Sequence, residues 1–168
     1  IVFGSHENPH TLLSILRDFD IKMVIIQSEQ IKSPAFENKY YLMLLRHPKC
    51  YVYDWSMYNK ERLNKDYNVN VLSLYSFDFF SKEPYDALKD RPIDVFFCGG
   101  RTEKREKVIN DLRDKYPHYT YFIDFNYSLT DQQKLSSILK RSKIVLNIPY
   151  YEDNALETHR IVQAKSCG

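Results

Sequence analysis

The chain is poor in cysteine: Cys50, Cys98 and Cys167 are the only three, and they form no C-x-x-C pair. An odd, widely spaced set gives no disulfide framework, and we read these as reduced, mostly buried thiols of an intracellular, cytoplasmic protein. Long apolar runs are missing too. No stretch approaches the roughly 18 residues a membrane span needs, and no signal-peptide pattern stands at the start. Neither sign of charge dominates, since 24 basic against 22 acidic residues leave a net +2, too little for nucleic acid to be the main partner. Neither G-x-G-x-x-G nor a Walker loop occurs. What is present is 168 residues with 43% apolar content, enough for a packed core and for either one ordinary domain or two small ones.

Strands and helices alternate along the chain. Residues 1–3 read as a strand, 4–9 as a loop, and 11–18 as a helix with Leu12, Leu13, Ile15, Leu16 and Phe19 at helical spacing. The nearly continuous apolar run at 21–26 predicts a strand buried on both faces. A helix over 36–46, a strand over 50–53, a helix over 59–65 and a strand over 69–74 follow. Between Ser81 and Pro92 the pattern stops, and two prolines and six charged residues appear, as expected of a linker. It restarts with a strand at 93–98, a tight turn at 99–102, a helix at 103–115 and a strand at 119–125. Thr130 with Gln133 spells a capping box opening a further helix, and a strand at 144–148 leads to a last helix carrying Glu157 and Arg160. The fold class is therefore α/β, with two Rossmann-like βα arrays on parallel sheets, both incomplete: a domain over 1–80, a linker over 81–92 and a second domain over 93–168. A chain that opens directly in a strand, without Met, and stops just after a helix is expected to be part of a longer protein.

Several residue groups can carry chemistry. Gly99-Gly100-Arg101-Thr102 lies between strand and helix, where glycine allows positive φ and close approach of a phosphate, and Arg101, Lys104 and Arg105 can supply a cation beside the helix dipole. The alternative is a tight turn before a solvated charged helix. Glu157, one turn before Arg160, can accept hydrogen bonds from a ribose diol. It equally fits the second arm of a capping box begun by Asn154, or a surface pair with Arg160 worth ~0.3 kcal/mol. Tyr150 and Tyr151 can stack on a base or sugar. His6, Glu29 and Asp54 follow three successive strands and so share one rim, where they can serve as a general base or contact hydroxyl groups, or simply cap helices. His6-Glu7-Asn8-Pro9-His10 matches H-E-x-x-H in letters, but Pro9 inside the required helix costs about 3 kcal/mol, so the stretch reads as a loop and no metal site is expected.

The order of these pieces, a βα array, a linker, D-V-F-F-C-G-G-R-T-E-K-R, then L-N-I-P-Y-Y and E-T-H-R-I-V-Q-A-K-S-C-G, resembles the GT-B glycosyltransferases of the CgeB-like and "glycosyl transferases group 1" type. The resemblance covers most of residues 94–168; residues 1–80 match as the closing part of an acceptor-side Rossmann-like domain. It implies a metal-independent transferase that moves a sugar from a nucleotide-diphosphate sugar, its substrate rather than a cofactor, to the hydroxyl of an acceptor bound opposite. Gly99, Gly100 and Arg101 would then lie against the diphosphate, assisted by Lys104 or Arg105, and Tyr150 to Asn154 would line the pocket, with Glu157 and Arg160 at the donor. Gln163 stands where the family has a ribose-binding glutamate, and Ala155 stands where the family has the partner glutamate, which places the expected ribose contact on Gln163 or Glu157. The competing expectations are a catalytically inactive nucleotide-binding or scaffold module of the same fold, and a doubly wound epimerase-like protein. The sequence leaves the sugar, base, acceptor and oligomeric state open.

Overall fold

A computed structural model describes residues 1–63, 67, 69–71, 87–126, 128–151 and 157–168. They form two compact units, each with its own parallel sheet.

In the first unit, β1 (Val2–Phe3), β2 (Met23–Gln27), β3 (Cys50–Asp54) and β4 (Val69–Val71) lie side by side in chain order, joined by α1 (Pro9–Asp18), α2 (Lys39–Leu45) and α3 (Met57–Leu63). Right-handed crossovers that all step the same way put their helices on one face. The burial pattern follows from this. Met23, Ile25 and Gln27 are buried, as are Val52 and Asp54, while Val24, Ile26, Tyr51 and Tyr53 between them are not. The apolar run at 21–26 is thus a strand with one fully covered face, not two. Its core joins Ile25, Val52 and Val69 to Leu16 of α1, Tyr41, Leu44 and Leu45 of α2, and Leu63 of α3.

Local chemistry moves several boundaries. α1 begins at Pro9, because proline suits the first helical position, whose N–H has no partner to lose. Residues 36–46 divide: Pro34–Glu37 makes a separate 3-10 turn, and α2 starts only where Asn38 Oδ1 accepts from the N–H groups of Tyr40 and Tyr41 at 2.9 and 3.4 Å. The ends read for α3 and β4, at 64–65 and 72–74, lie outside the described residues.

In the second unit the strand order is β6 (Tyr121–Asp124), β5 (Ile93–Cys98), β7 (Ser142–Val145), all parallel. The chain goes from β5 to one neighbour through α4 (Glu103–Lys115) and then to the other through α5 (Gln132–Lys140), so both faces of β5 are covered. Phe96 packs with Leu139 and Cys167; Phe97 packs with Ile109 of α4 and with Ile148. Asp131, not Thr130, caps α5: its Oδ1 accepts from Gln133 N–H at 2.8 Å and Lys134 N–H at 3.4 Å, so the expected capping box does not form. β7 ends at Val145, and the apolar letters after it belong to a loop whose Leu146 and Ile148 fill the α4-side core. Of the expected linker, 81–86 lies outside the described residues. Its last part belongs to the second unit, where buried Arg91 donates to the carbonyls of Ser142 at 2.9 Å and Gly168 at 2.8 Å.

Candidate functional site

The order β6-β5-β7 reverses direction at β5, which makes the carboxyl ends of β5 and β7 a topological switch point, where open α/β sheets bind ligands. Gly99-Gly100-Arg101 leaves β5 there and enters α4, and the loop after β7 enters α6 (Thr158–Ser166). Neither glycine uses positive φ. Among the four glycines only Gly4 and Gly168 do, which corrects the expectation for this turn. Gly99 matters for space instead. A Cβ there would stand 3.1 Å from Arg105 Nη1, 3.1 Å from Phe97 Cζ and 3.2 Å from Arg160 Nη2. Gly99→Ala is expected to cost about 1–3 kcal/mol in urea denaturation, as overpacking does.

Those two guanidinium groups are the centre of the site. Arg105, 1% exposed, donates to the carbonyl of Ile148 at 2.9 and 2.7 Å, to that of Gly100 at 2.9 Å and to Glu157 Oε1 at 2.5 Å. Arg160 bonds the other Glu157 oxygen and the Cys98 carbonyl, and its guanidinium lies 5.1 Å from the centre of the Phe97 ring. Glu157 is itself buried and occupies the N-cap position of α6 without capping it through its side chain. It is therefore not the second arm of a capping box, and Asn154 lies outside the described residues. Asn147 fixes the same corner, giving its amide hydrogen to Glu157 O at 3.2 Å and accepting from Glu157 N–H at 3.3 Å. The outcome is a carboxylate clamped between two arginines that ties the β5–α4 turn, the loop after β7 and the start of α6 together. Counted as a unit, two arginines and one glutamate carry one excess positive charge. Each Glu157 oxygen already accepts from one guanidinium.

Arg105 is thus a structural cation, and the outward-facing ones are its neighbours. Arg101, 62% exposed along its side chain, pairs with Glu106 at 2.7 Å and lies over Phe125 at 5.1 Å. Lys104 reaches the Tyr151 carbonyl at 3.5 Å. Tyr150 is 42% exposed; one face covers Arg105 at 5.2 Å, and the Tyr151 ring meets it edge-on at 4.9 Å. Thr102 caps α4 by accepting from Arg105 N–H at 3.2 Å, so the positive end of the α4 dipole lies at this rim. A groove of about 400 Å³ runs beside it between β7 and α6, lined by Val145, Asn147, Arg160, Ile161, Ala164 and Lys165. Gln163 sits half-buried in the second turn of α6.

Asp124 ends β6 where a Rossmann sheet often keeps a ribose-binding acid, a signal the sequence reasoning passed over. Here the carboxylate is taken by its own loop, accepting from Asn126 N–H at 2.9 Å, Ser128 hydroxyl at 3.0 Å and Leu129 N–H at 3.1 Å. Burial opposes its charge, but these bonds outweigh burial and hold the carboxyl below its ordinary range. The three cysteines are free, and burial pushes the Cys50 and Cys98 thiols up to about 11.

The first unit brings His6, Glu29 and Asp54 to one rim, as the strand ends require. His6 Nε2 is 3.4 Å from Glu29 Oε1, whereas Asp54 is fully buried behind them. α1 opens only at Pro9, which leaves His6 in the turn before it and His10 inside it, so the two histidines of H-E-x-x-H never share a helical turn; His6 lies against Tyr41 and His10 against Tyr40. One D-x-D triplet, Asp18-Phe19-Asp20, straddles the end of α1; Asp18 bonds Arg17 and Ser14, and Asp20 pairs with Lys49. Among the described residues no three metal-ligating side chains gather, and no helix is long and apolar enough to cross a membrane.

Comparison of the chain with protein families, with curated proteins and with solved structures finds no match.

Proposed function

We propose that the second unit binds a nucleotide-diphosphate sugar and that the protein is a glycosyltransferase, moving the sugar to an acceptor hydroxyl without a metal ion. The observation that carries this is the convergence, at the β5/β7 switch point, of the α4 N-terminus, the exposed guanidinium of Arg101, the net-positive Arg105–Glu157–Arg160 cluster and the open ring of Tyr150. A diphosphate leaving group gains one negative charge as its bond to the sugar breaks, and fixed dipoles and cations meet it without reorganising. Tyr150 supplies a flat surface for a base or sugar. The sequence resemblance over residues 94–168 supports the same reading.

One observation favours a second reading, a nucleotide-binding module without turnover: both oxygens of Glu157 are already held by arginines. Calorimetric titration with UDP, GDP and their sugars tests binding. Arg101→Ala is expected to weaken it by about tenfold or more, the value of a charge-assisted hydrogen bond. Absence of binding by any nucleotide would sink both readings, and binding without transfer across a panel of sugar acceptors would select the second.

A further inference from the structure

On the helix-covered side of the first sheet, polar groups are packed behind one part-exposed pair. Gln27 at the end of β2 stands in register with Asp54 at the end of β3. Its amide donates to Asp54 Oδ2 at 2.7 Å and to the Glu29 carbonyl at 2.6 Å, while its oxygen accepts from Glu29 N–H. Asn59 repeats the pattern, donating to Asp54 Oδ2 and to the Glu29 carbonyl, both at 3.0 Å. Glu29 is thus held through its backbone by two buried amides anchored on Asp54, and through Oε2 by the Ser33 hydroxyl at 2.7 Å. Its other oxygen is turned to His6 Nε2. The side chains of His6 and Glu29 are 25% and 27% exposed. Beneath them lie two hydroxyls, Ser5 Oγ and Tyr41 Oη, on residues 2% and 0% exposed. Neither completes a hydrogen bond of ordinary geometry, although Ser5 is near enough to ease Tyr41 ionisation slightly against the burial that raises it. Buried hydroxyls left without such a bond are uncommon.

We propose that this rim is a proton-accepting site for a hydroxyl-bearing ligand, water being the smallest, with His6 as the base and Glu29 as its positioning residue. With Nε2 facing the carboxylate, Nδ1 is the ring nitrogen left for the ligand's proton. The 3.4 Å separation is one that such pairs tighten when a ligand arrives. Asp54 is too deep to touch a ligand and acts only by holding Gln27 and Asn59. The site is independent of the nucleotide reading of the second unit.

The test uses p-nitrophenyl acetate hydrolysis by the whole chain. Water gives its proton to His6 Nδ1 as its oxygen bonds the acetyl carbon; the bond to p-nitrophenolate breaks with its electron pair on the phenolate, and the imidazolium returns its proton to solvent. His6→Gln is expected to lower the rate above background by about tenfold or more, at the low end of general-base effects, while His10→Gln, on the exposed side of α1, leaves it unchanged. Glu29→Gln lowers the rate, Glu29→Asp recovers part of it, and the wild-type rate shows a normal solvent deuterium isotope effect. Should His6→Gln fail to fold by circular dichroism, carbethoxylation of His6, located by mass spectrometry, must abolish the same activity in the wild type. A wild-type rate no higher than that of free imidazole, an equal loss in the His6 and His10 variants, or the absence of an isotope effect would each overturn the proposal.

Discussion

Glu157→Ala is expected to lower the stability of the second unit by about 3–5 kcal/mol, the usual cost of removing one partner from a buried ion pair. The Glu157 carboxylate lies between Arg105 and Arg160, on residues that are themselves largely buried. Without it, two guanidinium groups face each other across the space above Gly99, with no anion between them. For a unit of this size the melting temperature should fall by more than about 10 °C. Differential scanning calorimetry measures this. A loss below about 1 kcal/mol, the value of an exposed pair, would show that the cluster is not the fastening the geometry describes.

Stability should also fall as pH rises from about 4 to about 6, through Asp54. Burial raises this carboxyl to about 6, against hydrogen bonds from Ser56 N–H, the Asn59 and Gln27 amides and Trp55 N–H, which pull it down. Its ordinary value is 3.8, so between the two values the folded chain holds a proton the unfolded chain has released. The folded state is therefore favoured at low pH, and that advantage is lost as pH climbs through the folded value, levelling off above it. A shift of this size corresponds to about 3 kcal/mol at most. Asp54→Ala removes this component from the pH dependence and, by taking the acceptor from Ser56 N–H and loosening Gln27 and Asn59, costs about 2–4 kcal/mol at pH 7. Urea midpoints of wild type and variant at several pH values between 4 and 7 give the comparison; parallel curves would contradict it.

What the sequence made legible was what short-range pattern controls. The strand Ile93–Cys98 and the helix Glu103–Lys115 were readable residue for residue, because a run of large apolar side chains stops at Gly-Gly and a charged helix with one apolar stripe follows. The end of β7 was not, because Leu146 and Ile148 remain apolar after the ladder stops; they pack against Phe97 and Ile109, contacts invisible to local periodicity. The same limit governs the site. Arg105 looks like any cation on a charged helix, and Glu157 like a cap or a surface partner of Arg160. Their pairing spans 52 residues, and only the switch in strand order brings them together. The one-sided burial of β2 likewise follows from sheet order, which alternation within a single strand does not encode.

On the proposed reading, a nucleotide binds the second unit at the amino end of α4. Titrating isotopically labelled protein with UDP and GDP, while following backbone amides by NMR, tests that most directly. The account predicts the largest shifts at Gly100, Arg101, Thr102 and Glu103, with Tyr150 following. Shifts confined to the first unit, or none at millimolar nucleotide, would contradict it.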